Sequence, residues 1–162
     1  MITIIAAVAE NRAIGHKGRL LFRLRADMRR FKALTTGHTV LMGRKTFESL
    51  PKGALPERRN LVLTRTEGFS APGIETFASL DAALASCKAD EKVFIIGGSS
   101  VYAEAMPLAD RLCLTHVHAT PPEADAFFPE LAPGAWRPVE SERHEADAEN
   151  EAAYTFADYA RS

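Results

Sequence analysis

The sequence has little of what marks the more specialised classes of protein. It contains two cysteines, Cys87 and Cys113, whose spacing does not fit a metal site, and we interpret both as small core residues. No apolar run is long enough to span a bilayer. With a net charge of −1, the chain also lacks the basic excess of a general nucleic-acid binder. We therefore expect no metal, no membrane and no nucleic acid among its partners.

The beginning of the chain also lacks the features of a secretory signal. Residues 1–9 are apolar without a basic start, and the run stops at Glu10, so we expect a cytoplasmic protein. Apolar residues make up 46% of the 162 residues and charged residues 25%, the balance of an ordinary globular protein. A chain of this length typically forms one domain that buries roughly 70% of its unfolded surface. The expected domain covers residues 1–162.

The order of apolar runs predicts alternating strands and helices up to residue 106. Predicted strands cover residues 2–8, 39–42, 60–64, 74–77 and 93–96. Predicted helices cover residues 25–34, a short segment within 43–50, a segment capped by Ser79, and residues 101–106. This alternation favours a largely parallel sheet covered on both faces. Three further predicted strands, at 111–118, 136–143 and 154–159, are expected to be antiparallel at one edge.

Asp27 is the lone acidic residue between Arg12 and Phe47, in a stretch rich in lysine and arginine. If residues 25–34 are helical, Asp27 falls within an apolar stripe formed by Leu24, Met28, Phe31 and Leu34. A carboxylate on a buried face is costly unless something hydrogen-bonds to it, and no partner is evident nearby in the sequence. Two interpretations stay open. Either a ligand carries the missing N–H donors, or Asp27 only complements the helix dipole.

Two strand ends resemble phosphate-binding junctions. The strand before Gly43 leads into a helix that starts with Arg44, Lys45 and Thr46, and a helix start favours anions over cations. Residues 93–100 form a second junction, with two glycines and two serines. Each alone is more often a plain turn. Together with Arg65 after a third strand, they suggest a dinucleotide with an extra phosphate, NADPH rather than NADH, although the GxGxxG fingerprint is absent.

Five motifs, taken in order, resemble those of dihydrofolate reductase: Asp27 with Phe31, residues 42–49, Ile96-Gly97-Gly98 with Tyr102, Leu114-Thr115-His116, and Asp125-x-x-Phe128-Pro129. The resemblance covers essentially the whole chain, including residues 2–7 and the Gly15 loop. It implies an α/β fold with an eight-stranded mixed, mostly parallel sheet flanked by helices. It also implies NADPH-dependent reduction of 7,8-dihydrofolate to 5,6,7,8-tetrahydrofolate by hydride transfer to pterin C6, in a monomer.

The resemblance assigns the substrate end of the site residue by residue. Asp27, helped by Thr115, would bind the pterin 2-amino group and N3, and Arg58 would pair with the α-carboxylate of the glutamate tail. The reacting centre would also include Leu20, Phe22 and Tyr102. The remaining substrate-binding residues would be Ile5, Met28, Phe31, Leu50, Lys52, Leu55 and Ile96. Asp27 would act electrostatically, and the proton for N5 would come from water.

The resemblance also implies a cofactor site. Ala7 and Ile14 would face the nicotinamide amide, and Arg44, Thr64 and Arg65 would lie near the 2′-phosphate. The pyrophosphate would be held by Lys45, Thr46, Gly97, Gly98, Ser99 and Ser100. Further cofactor contacts are expected from Gly15, Gly18, Arg19, Gly43, Leu63, Val101 and Tyr102.

This chain departs from the family pattern in its mobile loop. Members usually carry Leu-Pro-Trp where this chain has Leu20-Leu21-Phe22, and Leu-Pro where it has Leu24-Arg25. Phe22 lacks the indole N–H that would hold a water beside the substrate. Ser100 replaces a common basic residue near the cofactor phosphate.

Two other functions stay open from the sequence. One is a related NADPH-dependent pterin or pyrimidine reductase, such as the reductase of riboflavin synthesis. Arg58 argues against it, because a phosphoribosyl substrate has no use for a glutamate clamp. The other is a non-catalytic folate or NADPH binder, which need not retain a buried anion such as Asp27.

Overall fold

A computed structural model describes residues 1–18 and 20–162. Within these residues the strands are β1 (Ile2–Ala9), β2 (Ala13–Gly15), β3 (Thr39–Gly43), β4 (Arg59–Leu63), β5 (Ile74–Phe77), β6 (Val93–Gly97), β7 (Arg111–Val117), β8 (Ala126–Phe127), β9 (Trp136–His144) and β10 (Tyr154–Arg161). The helices are α1 (Arg25–Thr35), α2 (Arg44–Ser49), α3 (Leu80–Ala85) and α4 (Ser99–Ala105), followed by a 3₁₀ turn at Met106–Leu108.

The strands form an eight-stranded sheet in the order β5-β4-β3-β6-β1-β7-β10-β9, and β2 pairs separately with β8. Neighbours from β5 to β7 are all parallel, whereas β10 is antiparallel to both β7 and β9. The predicted mixed, mostly parallel sheet flanked by helices is confirmed. The prediction that residues 111–118 run antiparallel was wrong. The chain crosses over through α4 before β7, so β7 pairs parallel with β1.

Burial on both faces explains why the central strands are continuously apolar. Successive side chains of β3 enter opposite cores, because strand side chains alternate between faces. Leu41 joins one cluster with residues of α3 and α4, whereas Val40 and Met42 join the other cluster with Phe47 of α2. Half-buried Phe31 and Leu34 of α1 pack against that second cluster. The helices therefore cover the sheet on both sides, with α1 and α2 on one face and α3 and α4 on the other.

Several local predictions need correction. The apolar stripe of α1 is only partly buried: Leu24 is 3% exposed, but Met28 is 59% exposed because it lines an open cleft. The segment predicted as a loop before Leu24 contains β2, and α4 begins at Ser99 rather than near residue 101. Cys113 is buried as expected, while Cys87 is only half-buried. Within the described residues, no helix is both long and apolar enough to cross a membrane.

Candidate active site

Asp27 has a hydrogen-bond partner that is distant in the sequence. Thr115 of β7 donates from its Oγ1 to Asp27 Oδ1 over 2.5 Å, and its side chain is almost fully buried. Thr115 stands between Ala7 of β1 and Phe156 of β10 in the sheet register. α1 thus presents the carboxylate to β7, between β1 and β10. The partner lies 88 residues away, so only the family resemblance, and no local sequence pattern, associated Thr115 with Asp27.

The surroundings of Asp27 make its ionisation costly. Burial raises the pKa of the carboxyl above its ordinary value, while the hydrogen bond from Thr115 and the charge of Arg30 oppose that rise without cancelling it. A ligand with N–H donors would stabilise the ionised form further. Asp27 is therefore a largely buried carboxyl group rather than a solvated surface charge.

An apolar wall extends from Asp27 along the face covered by α1 and α2. Its members belong to one cluster, in which Ile5 is buried and the others are half-buried: Phe31, Leu50, Leu55 and Ile96. Beyond the wall stands Arg58, whose Nη1 donates to Thr35 Oγ1 at 3.0 Å and whose Nε donates to the Pro56 carbonyl at 2.9 Å. Within the described residues, the Arg58 Nη2 donates no hydrogen bond, which leaves it free for an anion. Lys52 is exposed nearby in sequence.

A cleft of about 350 Å³ has Asp27 in its lining. Six of the predicted site residues line it: Ala7, Ile14, Leu20, Phe22, Asp27 and Met28. The sequence did not predict the remaining lining residues, Ala13, Leu21, Arg23, Leu24, Val117 and Glu151. Glu151 reaches the cleft through hydrogen bonds with the backbone of Arg23, and Val117 lies at the end of β7, so both come from segments distant in the sequence. The structure thus brings Asp27 and the Phe22 loop to one concave site.

A second, larger depression of about 570 Å³ lies at the beginnings of β3, β4 and β6, and Arg58 is among its lining residues. Arg59 pairs with Glu75 at 2.7 Å and with Glu91 at 2.9 Å. We place the candidate active site at the smaller cleft, because Asp27 and five other predicted site residues line it.

The segment at residues 149–151 holds the start of α1, where the family usually has proline. The backbone N–H of Arg25 donates to the Glu149 carbonyl at 3.2 Å, and that of Ala26 donates to Asn150 Oδ1 at 3.0 Å. A proline at position 25 could not make the first of these bonds. Helix-start N–H groups need such partners. Backbone hydrogen bonding therefore replaces the conformational restriction that the missing proline would give.

The other end of the loop is tied to the segment before β8. The Gly15 carbonyl accepts from the Asp125 N–H at 3.0 Å, and the Lys17 N–H donates to Asp125 Oδ2 at 2.8 Å. Gly18 has φ +75, a conformation that favours glycine. Arg19, predicted as a cofactor contact, lies outside the described residues.

The two glycine junctions stand side by side, because β3 and β6 are neighbours with Met42 opposite Gly97. A Cβ on Gly97 would lie 3.1 Å from Thr46 Oγ1, and one on Gly43 would lie 3.3 Å from Val101 Cγ2. Gly97 also has φ +139 and is joined to Gly98 by a cis peptide bond. Both positions therefore accept only glycine without a shift of their neighbours.

Most of the predicted cofactor residues surround these junctions. Lys45, Ser99 and Ser100 are exposed, whereas Val101 is buried in the core. Tyr102 is also buried, and its hydroxyl donates to the Ile5 carbonyl at 2.8 Å. Burial and the charge of Asp27 raise the Tyr102 pKa, so the phenol stays neutral.

Arg44 stands at the start of α2 with its guanidinium held in place. Its Nη1 donates to Thr66 Oγ1 at 3.1 Å, its Nε lies 3.6 Å from Glu48 Oε2, and its Cζ lies 4.0 Å from the centre of the Phe69 ring. Gly43 is opposite Leu63 in the sheet, so Arg44 and the segment Thr64-Arg65 follow neighbouring strand ends. Thr64 is half-buried and Arg65 is exposed.

Comparison with known proteins gives a consistent family. A family model described as dihydrofolate reductase matches residues 1–161. The chain is 47% identical over 159 residues to dihydrofolate reductase of Neisseria gonorrhoeae, which covers 98% of this chain and 96% of that protein. It is 44% identical over 161 residues to dihydrofolate reductase type 3 of Salmonella typhimurium, which covers 99% of this chain and 98% of that protein.

A solved dihydrofolate reductase structure has the same fold as this chain. Dihydrofolate reductase from Enterococcus faecalis, complexed with NADP(H) and RAB-propyl, matches with a TM-score of 0.92 and 35% identity. The match covers 100% of this chain and 96% of that chain. Because the family model and the relatives span nearly the whole sequence, this chain belongs to the dihydrofolate reductase family.

Proposed function

We propose that this protein reduces 7,8-dihydrofolate to 5,6,7,8-tetrahydrofolate with NADPH, using the cleft around Asp27. The observation that carries this function is the half-buried Asp27 carboxylate, held by Thr115 between an apolar wall and the cleft. Its relatives are named dihydrofolate reductase, and one was solved with NADP(H). A pterin complements this site, because its flat heteroaromatic ring can pack against the apolar wall and its amidine edge carries N–H donors for Asp27.

The substrate is proposed to lie along the apolar wall. Asp27 accepts hydrogen bonds from the 2-amino group and N3 of the pterin, and Thr115 holds the carboxylate in position for them. The aminobenzoyl group packs among Met28, Phe31, Leu50, Leu55 and Ile96. Arg58 pairs with the α-carboxylate of the glutamate tail, because its free Nη2 gives a charge-assisted hydrogen bond. Exposed Lys52 adds a positive charge at that end.

The residues around the glycine junctions fit NADPH. Side chains at Gly43 or Gly97 would fill the space between α2 and α4, so their absence keeps the backbone open to a pyrophosphate. Lys45, Thr46 and Ser99 supply polar and cationic groups beside it. Arg44, Thr64 and Arg65 form the expected 2′-phosphate side, and Ala7 and Ile14 the nicotinamide side. When bound, NADPH supplies the hydride for C6 of the pterin.

The protein's own contribution is orientation, exclusion of water and electrostatics. The negative charge of Asp27 stabilises the protonated form of the substrate, in which N5 has gained its proton. That proton comes from water entering beside Phe22. Leu20, Leu21 and Phe22 line the cleft with apolar surface and limit this access, which strengthens the effect of Asp27 in a less polar environment.

The finer properties of the protein are also part of this proposal. We infer that residues 1–162 form one domain and that it acts as a cytoplasmic monomer. A net charge of −1 supports the absence of nucleic acid among its partners. Sedimentation of the purified protein with an RNA or DNA duplex at low salt tests both the monomeric state and the absence of nucleic-acid binding. A dimeric mass, or co-sedimentation with the duplex, contradicts them.

The test of function compares two substrates. The purified protein should oxidise NADPH when 7,8-dihydrofolate is added. An Arg58→Leu variant should show a higher KM for dihydrofolate but an unchanged KM for a 7,8-dihydropterin without the glutamate tail. A reductase of phosphoribosyl pyrimidines would instead oxidise NADPH with such a pyrimidine and ignore dihydrofolate. No dihydrofolate turnover by the parent contradicts the proposed function.

A further inference from the structure

One half-buried ion pair near the site has no part in the function proposed above. Arg30 of α1 donates from Nη2 to Asp158 Oδ1 of β10 at 2.8 Å. The two side chains are 21% and 20% exposed, so the pair is shielded more than an ordinary surface pair. The Arg30 Cζ also lies 4.6 Å from the centre of the Phe156 ring. Two contacts thus hold the Arg30 guanidinium in place.

Helix geometry places the Arg30 cation beside Asp27, the carboxylate that is proposed to bind the substrate. Arg30 follows Asp27 by three residues, and residues at that spacing share one side of a helix. The charge of Arg30 acts on Asp27 and opposes the rise of its pKa that burial causes. Asp27 and Arg30 are therefore electrostatically linked along one turn of α1.

Asp27 and Arg30 also bind neighbouring positions on the paired strands β7 and β10. Asp27 binds Thr115, which lies opposite Phe156, and Arg30 binds Asp158, which lies opposite Cys113. The two bonds therefore anchor one turn of α1 to positions that are two residues apart along β7 and β10. Burial and the charge of Asp158 raise the pKa of the Cys113 thiol to about 11, so Cys113 stays neutral under the pair.

We propose that Asp158 is a positioning residue for the active site: by holding Arg30 on β10, it fixes both the position and the net charge of the group beside Asp27. The catalytic meaning of this inference rests on the proposed role of Asp27 in dihydrofolate reduction. The pair, rather than Arg30 alone, sets the field at the carboxylate. Asp158 limits how far Arg30 stabilises the ionised form of Asp27.

Other titratable and charged groups around the pair must be counted in the test. Tyr102 of α4 and Tyr154 of β10 both sense the charge of Asp27. Arg23 and Glu151 line the same cleft as Asp27, and Glu140 of β9 stands opposite Asp158. None of these groups is changed in the variants below except Glu140, which serves as a control.

The two partners of the pair give opposite predictions. In Asp158→Asn the amide oxygen still accepts from Arg30, but the cation loses its countercharge, so Asp27 should ionise at lower pH. In Arg30→Met the cation is lost and Asp158 remains as an unpaired anion, so Asp27 should ionise at higher pH. The double variant removes both charges and should fall between them. If the pair had only a structural role, both single variants would loosen α1 and would shift the Asp27 titration in the same direction.

The experiment is a carbon-13 NMR titration of the aspartate carboxyls in the unliganded protein, with Asp27→Asn used to assign the Asp27 signal. Arg29→Met is the matched control for charge, because Arg29 is on the same helix but lies in an exposed pair 3.7 Å from Glu149. Glu140→Gln is the control for charge on the sheet, because Glu140 of β9 stands opposite Asp158. Neither control should move the Asp27 titration, and Arg30→Lys should largely restore the parental curve if Arg30→Met disturbs folding.

Activity gives a second measurement. At acid pH, kcat/KM for dihydrofolate should be at least roughly threefold higher in Asp158→Asn than in Arg30→Met. The reason is that each pH unit between the two Asp27 titrations changes the ionised fraction of Asp27 by up to about tenfold. Titrations that shift in the same direction, or that do not shift, overturn the inference. A parent protein that titrates as described but does not reduce dihydrofolate would overturn the proposed function and leave the ion-pair assignment standing.

Discussion

The carboxylate of Asp27 and the hydroxyl of Thr115, 88 residues apart in the sequence, are joined by a 2.5 Å hydrogen bond between α1 and β7. Thr115 donates to Oδ1 of the carboxylate, and within the described residues no hydrogen bond reaches Oδ2, so a ligand can donate to it. This bond connects the helix that carries the anion to the centre of the sheet. In the proposed site, the position of the substrate-binding carboxylate depends on this bond.

Thr115→Val tests the contribution of this hydrogen bond. The donor lowers the Asp27 pKa against the effect of burial, so its removal should raise that pKa further. The acid limb of the kcat/KM profile should therefore move to higher pH. A net hydrogen bond contributes about 0.5–1.5 kcal/mol, so kcat/KM should fall by roughly twofold to tenfold. Thr115→Ser keeps the hydroxyl and should retain the parental profile; an unchanged Thr115→Val profile contradicts the role.

Arg44 is predicted to determine the preference for NADPH over NADH. A charged hydrogen bond contributes about 1.5–3 kcal/mol, which gives a preference of roughly tenfold to a hundredfold. Arg44→Leu should remove most of this preference by weakening NADPH alone, measured as the ratio of kcat/KM for the two cofactors. Arg137→Leu, an exposed arginine of β9, is the matched control. Equal use of both cofactors by the parent would contradict the assignment.

Phe22 is predicted to support catalysis less well than tryptophan. A Phe ring fills much of the volume of an indole, but it lacks the N–H donor that would hold a water. Phe22→Trp should therefore raise kcat/KM for dihydrofolate by a few-fold to roughly tenfold, the value of one hydrogen bond. Single-turnover hydride transfer is the measurement, with Phe22→Leu as the control for lost ring volume. A slower Phe22→Trp enzyme would show that the loop at Leu21 no longer accommodates an indole.

Glu91 is predicted to stabilise the fold far from the active site. Burial opposes its ionisation, but hydrogen bonds from Thr39, from the Lys88 N–H and from Arg59 prevail and lower its pKa from 4.5 to about 2. Because the folded-state pKa is depressed, this stabilisation is present above the unfolded pKa and is lost as the pH falls from 4.5 toward 2.

Glu91→Gln should therefore lower the free energy of unfolding at neutral pH by roughly 1–3 kcal/mol, with the difference shrinking in acid. Denaturant unfolding at a series of pH values measures it. Glu145→Gln is the control, because its 3.2 Å pair with Arg143 is exposed and should contribute about 0–1 kcal/mol. A loss that does not depend on pH would argue against the ionised pair with Arg59.

Local patterns in the sequence predicted most of the sheet, because strands buried on both faces are continuously apolar, as β1 and β3 are. They also identified Asp27 as an unusual anion and the glycines at 43 and 97 as junctions. Patterns of this kind contain no information about pairing between distant segments. The direction of β7, the Thr115 partner of Asp27 and the ion pair of Arg30 with Asp158 all depend on such pairing.

The error at Met28 has a different cause. Helical periodicity identifies the apolar stripe of α1 but not what covers it, and an apolar residue that faces a ligand cleft has the same spacing as one in the core. Met28 is exposed and Phe31 only half-buried because this part of the stripe faces the proposed substrate site.

The most direct test of the central claim is the rate of dihydrofolate reduction by Asp27→Asn at neutral pH. The substitution is nearly isosteric but removes the anion, so turnover should slow by roughly a hundredfold or more. NADPH affinity and the melting temperature should stay close to those of the parent. The control is Asp81→Asn, because Asp81 is the first-turn acid of α3 and complements only a helix dipole. A rate for Asp27→Asn close to that of the parent and of Asp81→Asn would show that Asp27 is a structural acid and would contradict the account.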